Sequence, residues 1–261
     1  MLKQISALLV TLFLTMTNLV AAEKPLVVGM ELQYPPFEMS DKQGKPTGVS
    51  VDLAYALGKY LGREVRIENI AWDGLIPSLK TGKIDLIISS MTITKQRAKT
   101  IDFSIPYAQA NLAILTNKKS GIKNINDLNQ KGKIIAVKKG TTGHIYAGKY
   151  LKNADLLVFD KENAAVLEVI QNKADGFLYG QLTIYKNWNK HRESTVALLK
   201  SFQDSPEHWG MAIKKGNDKF KAKVNAFIKQ AKSDGTFDNL SKKYLTQARA
   251  TFDKLGIKFF F

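Results

Sequence analysis

The chain has 261 residues, 44% of them hydrophobic, which allows one large domain or two lobes with real cores and excludes a collagen-like or largely disordered chain. Its net charge of +16 favours anionic partners in general, but the lysines are dispersed, with no basic run of five residues and no aromatic-interleaved RNA motif, so no nucleic-acid partner is expected. With no cysteine anywhere, neither a disulfide nor a lipid-bearing thiol is available.

Residues 1–22 read as a secretory signal peptide: a positive start at Lys3, an apolar stretch, and the small-residue site Val20-Ala21-Ala22, with cleavage after Ala22. An uncleaved anchor is the weaker reading, because threonines and an asparagine interrupt the run. The expected location is the periplasm. Residues 25–30 (PLVVGM) then read as a buried strand, followed by Tyr34-Pro35-Pro36-Phe37, a loop that two prolines hold extended with its rings displayed. A polar hairpin turn over 41–48 opens onto an amphipathic helix from Val51 to about Leu61, and residues 65–70 make the second strand. Asp52 and Asp102 are expected to cap helices or order loops.

The stretch 72–97, WDGLIPSLKTGKIDLIISSMTITKQR, carries the strongest chemistry in the chain. Leu75, Ile76 and Leu79 mark one face of a short helix that Gly82 ends, a strand follows over 84–88, and a second helix is expected to carry Arg97. Serine and threonine hydroxyls at a strand's C-terminal end, with a guanidinium one turn later, can grip a small carboxylate, because arginine's fork binds that group at two points. A strand over 112–115, a capped helix at 125–128 and the strand 133–138 come next. Gly140-Thr141-Thr142-Gly143 is a second strand-to-helix turn with hydroxyls. A strand at 156–159, a helix at 164–171 and a strand at 176–179 repeat the βαβ order, which implies parallel sheets. A strand at 211–214, a long helix whose apolar face carries Phe220, Val224, Phe227, Ile228 and Ala231, and a final helix at 237–244 complete the pattern. Phe252, Leu255 and Ile257 can form one apolar patch in the tail 246–261, which ends in three phenylalanines and has three open fates: folded back, docked on a partner, or unordered. His144, His191 and His208 show no metal spacing, and no phosphate loop or nucleophile elbow is present, so neither metal nor cofactor is expected.

In order and spacing, VGxE, YPPF, GVSVDLA, WDGLIPSLKTGKID, ISSMTITKQR, IDFSIPY, KKGTTG and KSDGTFDNLSKKYL resemble the periplasmic polar-amino-acid-binding proteins of ABC importers, especially the lysine/arginine/ornithine-, histidine- and arginine-binding members. The resemblance spans residues 26 to about 245. It implies an α/β, type II periplasmic binding protein fold of two lobes, each a mainly parallel sheet flanked by helices, joined by two hinge crossovers near Asn111 and Ser205. Lobe 1 would comprise 23–111 and 206–261, and lobe 2 would comprise 112–205. By position, Tyr34 and Trp72 would form aromatic walls. Ser89 or Ser90 and Thr92 would meet the α-ammonium and α-carboxylate, and Arg97 would hold the carboxylate. Thr142 and the Thr141 backbone would approach it from the other lobe, and Glu31 would face a side-chain cation.

One position departs from the pattern. Where such proteins end a second-lobe strand with an aspartate for the α-ammonium, this chain has Gly180, followed by Gln181. Gln181 or a water could substitute, Glu31 could be recruited, or the ligand could lack an α-ammonium. The resemblance implies a small polar amino acid, basic ones included, as ligand of a monomer that serves an ABC permease, without catalysis. Two rivals share the fold: a cyclohexadienyl or arogenate dehydratase, and a soluble ligand sensor. The dehydratase needs a general acid, and Glu31 is the one acid that the pattern puts near the ligand.

Overall fold

The computed structural model describes residues 24–261; the expected signal peptide and its cleavage site lie outside the described residues. The chain opens with β1 (Leu26–Met30) and a small antiparallel sheet of β2 (Gln33–Tyr34), β3 (Glu38–Ser40) and β4 (Pro46–Thr47). After α1 (Val49–Leu61) come β5 (Val65–Asn69), α2 (Trp72–Thr81), β6 (Leu86–Ile87) and β7 (Ile101–Phe103). The three-residue β8 (Ala108–Ala110) and the six-residue β9 (Leu112–Asn117) lead through α3 (Ile125–Leu128) to β10 (Ile134–Lys138) and α4 (Thr142–Tyr150). Then follow β11 (Asp155–Phe159), α5 (Glu162–Ile170), β12 (Gly176–Gly180), α6 (Gln181–Lys190) and β13 (Thr195–Leu198). The chain closes with β14 (Glu207–Trp209), β15 (Ala212–Lys214), α7 (Asp218–Ser233), α8 (Thr236–Tyr244) and α9 (Thr246–Lys254).

Two five-stranded sheets organise these elements, in the orders β5-β1-β6-β15-β7 and β11-β10-β12-β9-β13. Each joins a parallel half, β5-β1-β6 or β11-β10-β12, to an antiparallel half. The parallel halves are where strands alternate with helices, as the sequence pattern requires. The antiparallel halves arise because β15 and β9 enter without a crossover helix. Between the sheets, β8 pairs with β14, Ala110 facing Glu207, so both passages of the chain run side by side.

Burial explains why the strands stand. In the first sheet Leu26, Val28, Met30, Leu86 and Ile213 pack under α1 and α7, whose apolar faces include Leu53, Leu57, Val224 and Ile228. The second has apolar layers on both faces, Ala113, Leu115 and Phe177 on one and Ile114, Ile135 and Leu178 on the other. A sheet covered on both faces needs near-continuous apolar strands, which is what IIAVK and LAILTN supply up to their last residues.

Three expectations need correction. Arg97 does not ride a second α-helix: it starts a three-residue 3-10 turn, Arg97–Lys99. The run over 84–88 keeps only Leu86–Ile87 in the ladder, because its partner β15 is short. The helix at 236–244 is not the last, since α9 follows and its Phe252 is buried with Phe259 and Phe260 against the first sheet's core. Of the three fates open to the tail, the structure shows the folded-back one, with Leu255 left half exposed. Gln109 N–H donates to the Phe260 carbonyl at 2.9 Å, which ties the tail to β8.

Candidate functional site

In each sheet the first strand of the parallel trio lies between its two successors, β1 between β5 and β6, and β10 between β11 and β12. The chain therefore leaves it first to one side and then to the other, and adjacent loops part there to make a crevice at the strands' carboxyl ends. The two crevices face each other. Residues following β1, β6, β10 and β12 line one cavity of about 60 Å³, enough for a few waters in this closed arrangement. Every residue nominated from the sequence lies on its wall: Glu31, Tyr34, Trp72, Ser89 and Ser90; Thr92 and Arg97; and Thr141, Thr142 and Gly180 from the second sheet.

Arg97 spans the two sides. Its Nη1 donates to the Thr92 carbonyl at 2.7 Å and its Nη2 to the Gly140 carbonyl at 3.0 Å, while the guanidinium carbon lies 5.3 Å from the centre of the Trp72 ring. The side chain is buried, and desolvation lowers its pKa to about 10, against the opposing pull of Glu207, so it stays cationic at neutral pH. Facing it, the Thr141 hydroxyl caps α4 by accepting from His144 N–H at 3.4 Å and donates to the Lys138 carbonyl at 2.8 Å. Gly143 lets that turn press onto β12, where a Cβ would meet the Leu178 carbonyl oxygen at 2.3 Å.

The other end of the cavity is built differently. Glu31 reaches the wall, but Lys138 Nζ from the last residue of β10 donates to its Oε2, and both side chains are buried. Glu31 Oε1 also accepts from the Trp72 N–H at 3.3 Å. Its negative charge is thus matched by the opposite sheet. Close by, Glu38 lies among Ser50, Ser90 and Ser89 hydroxyls at 2.6, 3.0 and 3.4 Å. Ser90 aims its hydroxyl from a left-handed backbone, φ 48°, a conformation that non-glycine residues adopt rarely. Burial outweighs the hydroxyls and pushes Glu38 up from 4.5 to about 8, so the acid is protonated at neutral pH.

Tyr34 stands beside the glycine at 180. Its ring stacks on Phe37 with centroids 5.5 Å apart and meets Trp209 edge-on. Its hydroxyl, hydrogen bonded to Thr183, ends 2.7 Å from where a Cβ on Gly180 would stand. The tyrosine oxygen occupies the room from which an acidic side chain at 180 would start.

Sequence reasoning missed Glu38, Lys138, Tyr179, Glu207 and Trp209. Glu207 Oε2 accepts from the Thr92 and Thr142 hydroxyls, both at 2.9 Å, and its Oε1 accepts from Gln203 Nε2 at 3.1 Å. Glu31 is therefore one of three acids on the wall, with Glu38 and Glu207, and not the one acid there. One signal was readable: a lysine at the carboxyl end of the otherwise apolar strand IIAVK sits where parallel strands present ligand contacts. Among the described residues no group of three or more His, Asp or Glu is placed to hold a metal ion.

Comparison with known proteins decides the family. The profile of bacterial extracellular solute-binding proteins, family 3, matches residues 26–247. The chain belongs to that family. It is similar to the L-cystine-binding protein TcyJ of Escherichia coli K12, at 31% identity over 87% of this chain and 85% of that one. It is likewise similar to the ABC transporter arginine-binding protein 1 of Escherichia coli K12, at 32% identity over 87% and 93%. Among solved structures it resembles the ancestral amino acid-binding protein AncCDT-1, a precursor of cyclohexadienyl dehydratase, with 38% identity, a TM-score of 0.76 and coverage of 85% of this chain and 96% of that one. The type II periplasmic binding fold expected from the sequence is the fold of these family members.

Proposed function

We propose that this protein is the solute-binding component of an ABC importer and captures a small polar amino acid by closing two lobes on it. The observation that carries the reading is Arg97, a buried cation whose side chain, among the described residues, hydrogen bonds only to backbone carbonyls, one on each side of a cavity that both sheets line. Such a fork has donors left for a carboxylate, and binding there favours the closed arrangement because the contacts exist only when both sides meet. Lobe 1 is assigned residues 23–111 and 206–261, lobe 2 residues 112–205, and the paired β8 and β14 the flexing crossover. Similarity to amino-acid-binding proteins, one of them named as part of an ABC transporter, supports both the ligand class and a membrane permease as partner. We assign the protein to the periplasm as a monomer, released by cleavage after Ala22.

A thermal-shift panel of the standard L-amino acids, L-cystine, dicarboxylates and prephenate tests this. A shift by an amino acid that Arg97→Ala abolishes is expected; stabilisation only by acids without an α-amino group would overturn the ligand class. A second reading rests on Glu38, a protonated acid on the cavity wall that could donate to a leaving hydroxyl, as a dehydratase requires. It predicts turnover of prephenate, lost in Glu38→Gln. The first reading predicts none.

A further inference from the structure

Three carboxyl groups reach the cavity wall, and they are not equivalent. Glu31 is matched by Lys138. Glu38 is enclosed by three serine hydroxyls and protonated near neutral pH. Glu207, among the described residues, forms no ion pair with a lysine or arginine; its partners are two threonine hydroxyls and a glutamine amide. A carboxylate offers about four lone-pair positions, and those three neutral donors fill two on Oε2 and one on Oε1. One position on Oε1 and the negative charge are left to be met.

We infer that Glu207 is the acceptor for the ammonium group of the bound ligand while Arg97 takes its carboxylate, so that the ligand is a zwitterion of zero net charge. The inference rests on the amino-acid reading above and adds the residue and charge class to it. Placement supports it. Gln203 bridges Glu207 to Leu112, its Oε1 accepting from the Leu112 N–H at 2.8 Å, and Leu112 is the residue paired with Gly180. The negative charge that Gly180 does not carry is thus provided from the neighbouring crossover. A rival role, in which Glu207 merely holds the place of the ligand's carboxylate and leaves when it arrives, fits less well. Glu207 sits in register on β14 opposite Ala110 and is steadied by Gln203, so it is anchored where it stands. Among the described acids on the cavity wall, Glu31 is matched by Lys138 and Glu38 is protonated, so a second cation on the ligand meets no open carboxylate there.

The experiment is isothermal titration of wild type, Glu207→Gln and Glu207→Asp with the standard L-amino acids and L-cystine. The best binder's 2-hydroxy acid, which lacks the ammonium, is then titrated into the same three proteins. We expect Glu207→Gln to weaken the amino acid at least tenfold and the 2-hydroxy acid less than threefold, with Glu207→Asp in between for the amino acid. Amide exchange and thermal melts matched to wild type show that the variants fold; if Glu207→Gln does not, Glu207→Asp alone must show the same selective loss. Amino-acid affinity unchanged or increased in Glu207→Gln overturns the assignment of Glu207 and leaves the amino-acid reading standing. No binding of any amino acid by wild type overturns that reading and this inference with it.

Discussion

Two buried cations belong to this region, Arg97 on the cavity wall and Lys138 behind it through Glu31, and their partners set them apart. Arg97, from the first sheet's side, donates to two neutral carbonyls and meets no carboxylate in an ion pair among the described residues; Lys138, from the second, is locked onto Glu31. Both are nearly inaccessible to water. Under the proposed function, the difference separates a charge compensated within the fold from one kept for a ligand. A paired buried charge already has its compensation, whereas Arg97, which hydrogen bonds to carbonyls and feels Glu207 only at longer range, keeps its attraction for an incoming anion.

Substitutions can break or sharpen this contrast. The largest effect is expected for Lys138→Met, which strands the Glu31 carboxylate in a dry site at a cost of about 3–5 kcal/mol, read as a fall in unfolding free energy in urea. A loss below about 1 kcal/mol would mean that the pair is not a structural bridge. Arg97→Ala should spare stability but weaken ligand binding by about 2–4 kcal/mol, roughly thirty- to a thousandfold, measured by titration calorimetry. Equal stability losses in the two variants would erase the distinction between them.

Glu38 sharpens the picture through pH. Burial raises its pKa from 4.5 to about 8, so between those values the folded protein keeps a proton that the unfolded chain has released. The stabilisation is complete below about pH 4.5 and disappears as pH rises through about 8. Glu38→Gln should remove this slope, at most about 1.4 kcal/mol per pH unit inside the window, in paired denaturation curves of variant and wild type. Gly180→Ala is the smallest test. Its Cβ would crowd the Tyr34 oxygen and cost about 1–2 kcal/mol, most of which Tyr34→Phe should restore in the double variant.

Most of the frame could be read in the chain because period and punctuation agreed: apolar strands, Gly82 ending α2 in the left-handed region, and Asn124 capping α3 through a reciprocal box with Asp127. Helix α6 could not. Its sequence QLTIYKNWNK is full of β-branched, aromatic and asparagine residues that favour helix weakly, and it stands because Leu182 and Ile184 are buried. Strand β13 is four residues whose pairing with β9 has no local signature. In the site, the hydroxyl turns and Arg97 were visible as local clusters. The Lys138–Glu31 and Thr92–Glu207 contacts join residues 107 and 115 positions apart, and no spacing rule reaches that far. Tail burial was equally non-local, since Phe260 packs against Phe37 and Trp209, centroids 4.9 and 5.5 Å away.

Among the described residues that line the cavity, Arg97 and Glu207 are the charged groups left without an ion-pair partner, so the most direct measurement is calorimetric titration of wild type with L-glutamine and L-lysine, ligands of similar length that differ in side-chain charge. Glutamine binding at least tenfold tighter than lysine is the predicted result. Lysine binding tenfold tighter than glutamine would contradict it, and would mean that Glu31 gives up Lys138 to the ligand.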